Sequence, residues 1–295
     1  MLKKLKIFKN KKILITGHNG FKGSWLTIWL NLLGAKVVGI SLKDYNQDNH
    51  FNLVQKHIKV KSYYFDLRDK LKTQKIILKE QPDYIFHLAA QSLVYKSVLD
   101  PRFNWETNVI GLLNILESIS KLKKKCYGII ITSDKCYKNL EQKKGYKEND
   151  ILGGIDPYSA SKASAEILFH SYYKTFFANN KKNVRLCTAR AGNVIGGGDW
   201  SNLRLIPDCM KMWLKNKAPV IRNPHSTRPW QHVLEALSGY LVLAYELTKN
   251  EKVNGNSFNF SSDKIKNITV LNFLKKINKK WPNIKWKILN RNKFY

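Results

Sequence analysis

Through the first two-thirds of the chain, short unbroken apolar runs alternate with longer stretches in which apolar residues return every three or four positions. Six runs have the length and β-branched content of strands: Lys12 to Gly17 (KILITG), Lys36 to Ser41 (KVVGIS), Val60 to Phe65 (VKSYYF), Asp83 to Ala89 (DYIFHLA), Tyr127 to Ser133 (YGIIITS) and Val184 to Arg190 (VRLCTAR). Between them, segments such as Gly20 to Leu33, Arg68 to Glu80, Arg102 to Lys121 and Tyr158 to Phe177 carry helical spacing. Strands apolar on both faces, alternating strictly with helices, predict a doubly wound α/β fold whose parallel sheet is covered on both sides. From Ala191 onward the alternation breaks into glycine-rich, proline-bounded and tryptophan-bearing pieces. The expected division is therefore residues 1–190 for the sheet domain and 191–295 for a smaller domain over the carboxyl ends of the strands, where such sheets bind ligands.

Composition narrows this picture. Of the 295 residues, 43% are apolar and 12% aromatic, which excludes a solvated low-complexity chain. The net charge of +31 raises a nucleic-acid or anionic-membrane reading. Only eight of the 52 basic residues are arginine, however, and the lysines are scattered through every segment. Runs such as Lys121 to Lys125 fall at expected helix ends, where a solvated cation complements the helix carbonyls. No nucleic-acid or membrane partner is expected, although the charge should attract anionic substrates. The four cysteines form no C-x-x-C pair and have no histidine at zinc-ligand spacing, so reduced thiols and no metal site are expected. A basic N-terminus without an apolar core and cleavage site, and no apolar run of membrane-spanning length, make the cytoplasm the expected compartment.

Directly after the first strand, TGHNGFKGS places Gly17, Gly20 and Gly23 at the opening of a helix. Such glycines permit a tight turn, close approach of backbone to a diphosphate, and close helix–strand packing, while the helix N-terminus faces the negative charge. The alternative is a merely structural turn. The G-x-x-G-x-x-G spacing resembles that of the short-chain dehydrogenase/reductase superfamily. At the end of the second strand Asp44 suits ribose hydroxyls and Lys43 a 2′-phosphate, and the sequence leaves both open. Asp66 matches the position where extended members of that superfamily hold the adenine edge, with a helix N-cap as the plain alternative. Ala89, Ala90 and Gln91 end the fourth strand, where small residues admit cofactor contacts; His87 within it reads as a core residue.

Tyr158 and Lys162 in PYSASKASAE stand four apart on a helix and share a face. A phenol titrates near ~10 in water, so a base at neutral pH needs the adjacent ammonium and a cationic nicotinamide ring to lower it. Ser133 completes the set by bonding to the reacting oxygen. Asp134 and Lys135 exceed what alcohol oxidation requires and suggest a second step. A sugar ketone at C4 acidifies the C5 hydrogen, which a neutral Lys135, depressed by Lys162, can remove, while a protonated Asp134 delivers a proton to the departing C6 hydroxyl. The plain alternative is a turn with a solvated lysine.

TGHNGFKGSWL, HLAAQSLV, ITSDKCY, DPYSASK, RAGNVIGGGDW, RLIPD and IRNPHSTRPWQHV together resemble bacterial CDP-glucose 4,6-dehydratases in order and spacing, over roughly Ile13 to Phe260. The resemblance implies a Rossmann-like fold with a C-terminal substrate-binding domain. It implies NAD as an internally recycled hydride carrier and conversion of CDP-glucose to the 4-keto-6-deoxy sugar. It assigns catalysis to Ser133, Asp134, Lys135, Tyr158 and Lys162. Cofactor contacts fall to Gly17, Gly20, Phe21, Lys22, Gly23, Asp66, Leu67, Ala89, Ala90, Gln91, Asn108, Tyr158 and Lys162. Asn193, Arg204, Leu205, Arg222, Arg228 and His232 would line the nucleotide-sugar site, where Arg suits a diphosphate, although each Arg is also a candidate surface ion-pair partner. Helices bearing Phe103 to Ile119 and Tyr158 to Phe177 would form a four-helix homodimer interface. After Trp281 the chain runs PNIKWKILNRNKFY, where the family continues further, so a fragment or a shortened product is expected. Other nucleotide-sugar dehydratases, epimerases, reductases and an inactive NAD-binding paralogue stand as alternatives.

Overall fold

The computed structural model describes the chain except residues 1, 45–48, 143, 179–183, 262–267 and 290–295. Successive side chains of the strand Lys12–Thr16 (β1) point to opposite faces, and both faces are covered: Ile13 and Ile15 enter one core and Leu14 the other. The strands Lys36–Ser41 (β2), Val60–Tyr64 (β3), Tyr84–His87 (β4), Cys126–Ile131 (β5) and Val184–Ala191 (β6) follow in the same sheet, and Ser257–Phe260 (β7) closes it. The order across the sheet is β7-β6-β5-β4-β1-β2-β3, with every neighbouring pair parallel. This is the doubly wound architecture expected of the alternating pattern, with the strand order reversing beside β1.

The longer helices are Phe21–Leu32 (α1), Lys70–Glu80 (α2), Gly111–Ser120 (α3), Pro157–Phe176 (α4), Leu205–Trp213 (α5), Val233–Lys249 (α6) and Val270–Lys280 (α7). One face of the sheet packs on Leu26 and Leu30 of α1 and on Leu237, Leu241 and Leu247 of α6. The other packs on Ile77 of α2, Leu112, Ile115 and Ile119 of α3, and Phe169 of α4. At roughly 1.5–3 kcal/mol for each fully buried large apolar side chain, these two layers dominate the stabilisation of the domain.

The boundary expected at residue 190 needs correction. Both α6 and β7 lie beyond it, yet α6 fills one core of the sheet and β7 pairs with β6 from Ser257↔Thr188 to Phe260↔Ala191. The smaller lobe is built from what lies between and after them, around Cys209, Trp213, Ile221, Val270, Leu274 and Ile284.

At the far end of the sheet, Glu80 is buried beneath β1 and β3. Its carboxylate accepts hydrogen bonds from Lys61 Nζ and Tyr63 Oη, both at 2.6 Å, and from Lys12 Nζ at 3.1 Å. Burial pushes this carboxyl up, but the bonds from Lys61, Tyr63 and Lys12 outweigh it and hold its pKa at about 2. A depressed folded-state pKa contributes stability above the unfolded value of ~4.3, and loses it as pH falls toward the folded value. Because Lys61 and Lys12 are substantially exposed, screening reduces the effect. Glu80→Gln should therefore lower unfolding free energy by about 2 kcal/mol at neutral pH. In urea titrations the gap between variant and parent should close as pH drops from about 5 toward 2.

Candidate functional site

The loop after β1 meets two separate constraints. Gly17 has φ +73°, and a Cβ there would stand 2.9 Å from the Ala89 nitrogen; a Cβ on Gly23 would stand 2.0 Å from the Gly17 oxygen. These two glycines are required by the fold itself. Gly20 differs, since a Cβ there would meet only the Gly17 oxygen, at 3.4 Å. It is also the N-cap of α1 and supplies no capping side chain. Open space before an uncapped helix N-terminus is the cradle a diphosphate fills, so these residues fit a dinucleotide. Thr16 Oγ1 accepts from the Ala89 nitrogen at 3.1 Å and bonds to His87 Nδ1 at 2.8 Å, which ties the ends of β1 and β4 together below Ala89 and Ala90. His87 is buried, and burial pushes its pKa down to about 3, in keeping with a core role.

Other residues assigned to the cofactor are held by protein partners. The Asp66 carboxylate accepts from the Arg68 nitrogen at 2.9 Å and pairs with its guanidinium, while the N-cap of α2 is Asp69. The Leu67 side chain is buried in the core, and its carbonyl accepts from Asn114. Asn108 sits in a π-helical turn, Glu106–Ile110, which rotates it inward. There it accepts from the Gln91 nitrogen at 2.8 Å and donates to the Gln91 carbonyl at 3.0 Å and to Ser161 Oγ at 2.9 Å. Its amide thus pins the end of β4 against α4. Asn49 donates to the Asp44 carboxylate.

Beyond β5, a 3₁₀ turn, Asp134–Cys136, carries the next group. Ser133 caps it: its Oγ accepts from the Lys135 nitrogen at 3.2 Å and donates to Asp134 Oδ1 at 3.0 Å. Burial pushes the Asp134 carboxyl up, against the opposing pull of Lys135, Ser133 and Lys22. Lys135 is exposed at the rim. Facing the turn, α4 starts at Pro157, with Asp156 accepting from the Ser159 nitrogen at 2.9 Å as its cap. This start places Tyr158 and Lys162 one turn apart, 9% and 5% exposed respectively.

Protein groups alone do not lower the Tyr158 phenol. Burial pushes it up to about 12, Asp134 and Asp156 add to this, and the Ser133 hydroxyl and Arg204 oppose it. Lys22 and Lys162 are close enough to act on one another. Lys162 is pushed down to about 8 by burial, with Glu166 opposing, and Lys22 is pushed down to about 8 by burial and by Arg204 and Lys162. Lys22 Nζ donates to Tyr240 Oη of α6 at 3.3 Å.

The residues assigned to the sugar nucleotide divide into two groups. Arg204, at the start of α5, pairs with Asp199 at 3.2 Å, reaches Ser92 Oγ at 3.4 Å and acts on both Lys22 and Tyr158. Leu205 follows it and packs on the core of the smaller lobe. Val194–Ile195 pairs with Gln231–His232 so that His232 stands opposite Ile195, the Asn193 carbonyl accepts from the Gln231 nitrogen at 3.0 Å, and Gly192 lies beside Asp134 Oδ2 and Pro229. The His232 ring accepts from the Leu234 nitrogen, capping α6. Arg228 is exposed and bonds to the Thr227 carbonyl. Arg222 lies apart, in a cleft of about 380 Å³ shared with Asn223, Pro224, His225, Ser226, Ile288 and Leu289.

Sequence reasoning missed two contributors. Tyr240 lies in an ordinary apolar helix and gave no signal. Glu166 did give one, since it stands four residues after Lys162. Its buried carboxylate accepts from Arg190, Thr132, Thr188 and Ser257.

The sequence profile of the GDP-mannose 4,6 dehydratase family matches residues 14–289. A CDP-glucose 4,6-dehydratase of Salmonella typhimurium is 44% identical over 243 residues, which take in 81% of this chain and 68% of that protein. A dTDP-D-glucose 4,6-dehydratase of Dictyostelium discoideum is 31% identical over 274 residues, 88% of this chain and 60% of that protein. The chain thus spans about two thirds of the length of the first relative and less of the second. Among solved structures, an epimerase from Methanothermobacter thermautotrophicus superposes with a TM-score of 0.83 at 23% identity, covering 98% of this chain and 82% of that one. A dTDP-glucose 4,6-dehydratase from Bacillus anthracis in complex with NAD gives 0.76 at 22% identity, covering 95% and 85%. At these identities the structural likeness is one of fold. The profile match over nearly the whole sequence, together with the 44% identical relative, shows that the chain belongs to the GDP-mannose 4,6-dehydratase family, the dehydratase group of the extended short-chain dehydrogenases/reductases.

Proposed function

We propose that the chain is a CDP-glucose 4,6-dehydratase, removing water from CDP-D-glucose to give CDP-4-dehydro-6-deoxy-D-glucose. The observation that carries this reading is Asp134: a carboxyl beside Tyr158 whose burial favours its protonated form, on the same turn as Lys135. Epimerisation at C4 has no use for such an acid, whereas elimination from C6 requires one. The 44% identity to a CDP-glucose 4,6-dehydratase supports the choice of base and sugar.

NAD, held by the Gly17 to Gly23 loop and the ends of β1 and β4, supplies a hydride acceptor and donor for the sugar. Lys162, one helical turn from Tyr158, carries the positive charge of the site on that side. Tyr158 takes the proton of the C4 hydroxyl, and Ser133 holds that oxygen. Lys135 removes the C5 proton and returns it to the same carbon after elimination. Asp134 protonates the C6 hydroxyl, which departs as water. Arg204 and Arg228 are suited to the diphosphate, with Asn193, Leu205 and His232 completing the sugar-nucleotide surface.

The exposed apolar side chains Trp105, Ile110, Ile167 and Phe176 support a homodimer built on the helices that carry them. Four buried free cysteines fit a reducing cytoplasm, and no described helix is long and apolar enough to cross a membrane. The product would feed deoxysugar synthesis, including that of lipopolysaccharide O-antigen.

Incubation with CDP-, dTDP-, UDP- and GDP-glucose should give the alkali-absorbing 4-keto product fastest from CDP-glucose, without net release of reduced cofactor. A folded, NAD-loaded protein that leaves all four unchanged overturns the reading. Lys135→Met should slow elimination by about 10²–10⁴-fold while reduced cofactor accumulates on the enzyme. Elimination at the parent rate would refute its role as base. Because Asp134 acts in its protonated form, kcat should fall as pH rises past its elevated pKa. Asp134→Asn should remove both the activity and that limb of the profile.

A further inference from the structure

The segment that follows β6 touches the ends of three neighbouring strands in turn. It starts at Gly192, where a Cβ would stand 3.4 Å from Asp134 Oδ2 on the turn after β5. It next crosses the start of α1, the helix that follows β1. There a Cβ on Gly196 would stand 3.4 Å from Phe21 Cζ, and the Gly197 carbonyl accepts from Trp25 Nε1 at 2.9 Å. It ends at Arg204, which pairs with Asp199 at 3.2 Å and reaches Ser92 Oγ, just beyond β4, at 3.4 Å. Because β4 lies between β5 and β1 in the sheet, residues 192–204 go out from β5 to β1 and come back to β4.

The anchor on α1 is made by side chains one turn past the glycine loop. The Trp25 ring stacks on His50 with centroids 4.8 Å apart, and Ser24 Oγ lies 2.7 Å from His50 Nδ1. An indole N–H is a donor only, and the Gly197 carbonyl supplies its partner. The three glycines are not alike. Gly198 has φ +84°, and a Cβ there would stand 2.5 Å from His50 Cγ; a Cβ on Gly196 would stand 2.7 Å from Val233 Cγ1. A Cβ on Gly197 would meet nothing within 4 Å. Close approach at Gly196 and Gly198 and a hydrogen bond at Gly197 thus fasten the segment, and a loop that merely joined β6 to α5 would need none of them.

We propose that residues 196–204 form a strap that retains NAD, with Trp25 as the positioning residue that fastens it. The two anchors stand on the two sides of the NAD seat, Trp25 one turn past Phe21 and Ser92 next to Gln91. Escape across that rim requires one anchor to open. The sugar must receive back the hydride it gave, so loss of reduced cofactor between the two steps would strand the reaction. A dehydrogenase that exchanges its cofactor at every turnover has no use for such a fastening.

The use made of the strap rests on the dehydratase reading, but its first test needs no substrate. NAD-loaded protein is carried through successive gel filtrations and its bound NAD counted, and displacement of bound NADH by excess NAD is followed by fluorescence. The parent should keep its cofactor. Trp25→Phe, which leaves a ring against His50 and removes the N–H, should release NADH about 3- to 10-fold faster. Gly198→Ala should also release it faster, whereas Gly197→Ala, whose methyl meets open space, should match the parent. With CDP-glucose, Trp25→Phe should lose activity over successive turnovers as reduced cofactor appears in solution, and excess NAD should restore the parent's kcat. Equal NADH release from the parent, Trp25→Phe and Gly198→Ala would overturn the strap, as would a loss of activity that excess NAD does not relieve. If the variants leak cofactor and the parent retains it, yet the parent converts no nucleotide sugar, the strap stands and the dehydratase reading falls.

Discussion

The active edge of this protein depends on one buried carboxylate. Glu166 is inaccessible to solvent, and it accepts hydrogen bonds from Arg190 at 2.7 Å, Ser257 at 2.9 Å, Thr188 at 3.0 Å and Thr132. Those donors belong to β6, β7 and the residue immediately before Ser133, while Glu166 itself lies one turn beyond Lys162 on α4. A single charge therefore fixes the distance between the helix bearing Tyr158 and Lys162 and the turn bearing Ser133, Asp134 and Lys135. Arg190 extends the tie to Tyr137 Oη at 2.8 Å and the Glu148 carbonyl at 2.9 Å, holding the far end of the same turn. Burial pushes Glu166 up, yet Arg190, Thr132 and Ser257 more than compensate, so it stays ionised. Breaking such a pair by removing one partner costs about 3–5 kcal/mol, because the other charge is left buried without compensation.

That dependence explains what the sequence made legible and what it did not. The strands β1 to β6 were readable because both faces of a parallel sheet are apolar, so their runs stand out from helical spacing. The glycine loop and the Tyr158/Lys162 pair were readable because each is local, fixed by a turn or by one helical repeat. The strand β7 was not: SFNF is four residues long, lies far from the alternating region and gains its place only by pairing with β6. The same non-local pairing moved the domain boundary. Glu166 was missed for a different reason, since a carboxylate four residues from a lysine on a helix ordinarily marks a solvated pair. Only the arrival of β6 and β7 makes it the hub of a buried network. The bonds of Asp66, Leu67 and Asn108 to Arg68, Asn114 and Gln91 lie beyond any local pattern in the sequence.

The charges that converge here also give meaning to the overall basic composition. Lys22, Lys162 and Arg204 act on Asp134 or Tyr158 or on one another, and burial drives both lysines down to about 8. Arg204 and Lys162 both act on Lys22, and cations so gathered repel one another, for which the natural relief is an anionic ligand. The scattered surface lysines contribute only a diffuse attraction that salt screens within about 10 Å. The buried cations are different, because the low dielectric that makes them costly also makes their field strong at short range.

Asp134 and Lys135 are neighbours in sequence, yet the 3₁₀ turn separates their environments. The carboxyl points inward toward Ser133, Tyr158 and Lys22, where burial determines its proton affinity, while the amine stands exposed at the rim. In the proposed reaction, an acid set by the protein and a base at the exposed rim suit a sequence in which the sugar arrives before its C5 proton is removed. Glu166 and Arg190 hold the turn that carries the carboxyl through bonds made entirely within the protein.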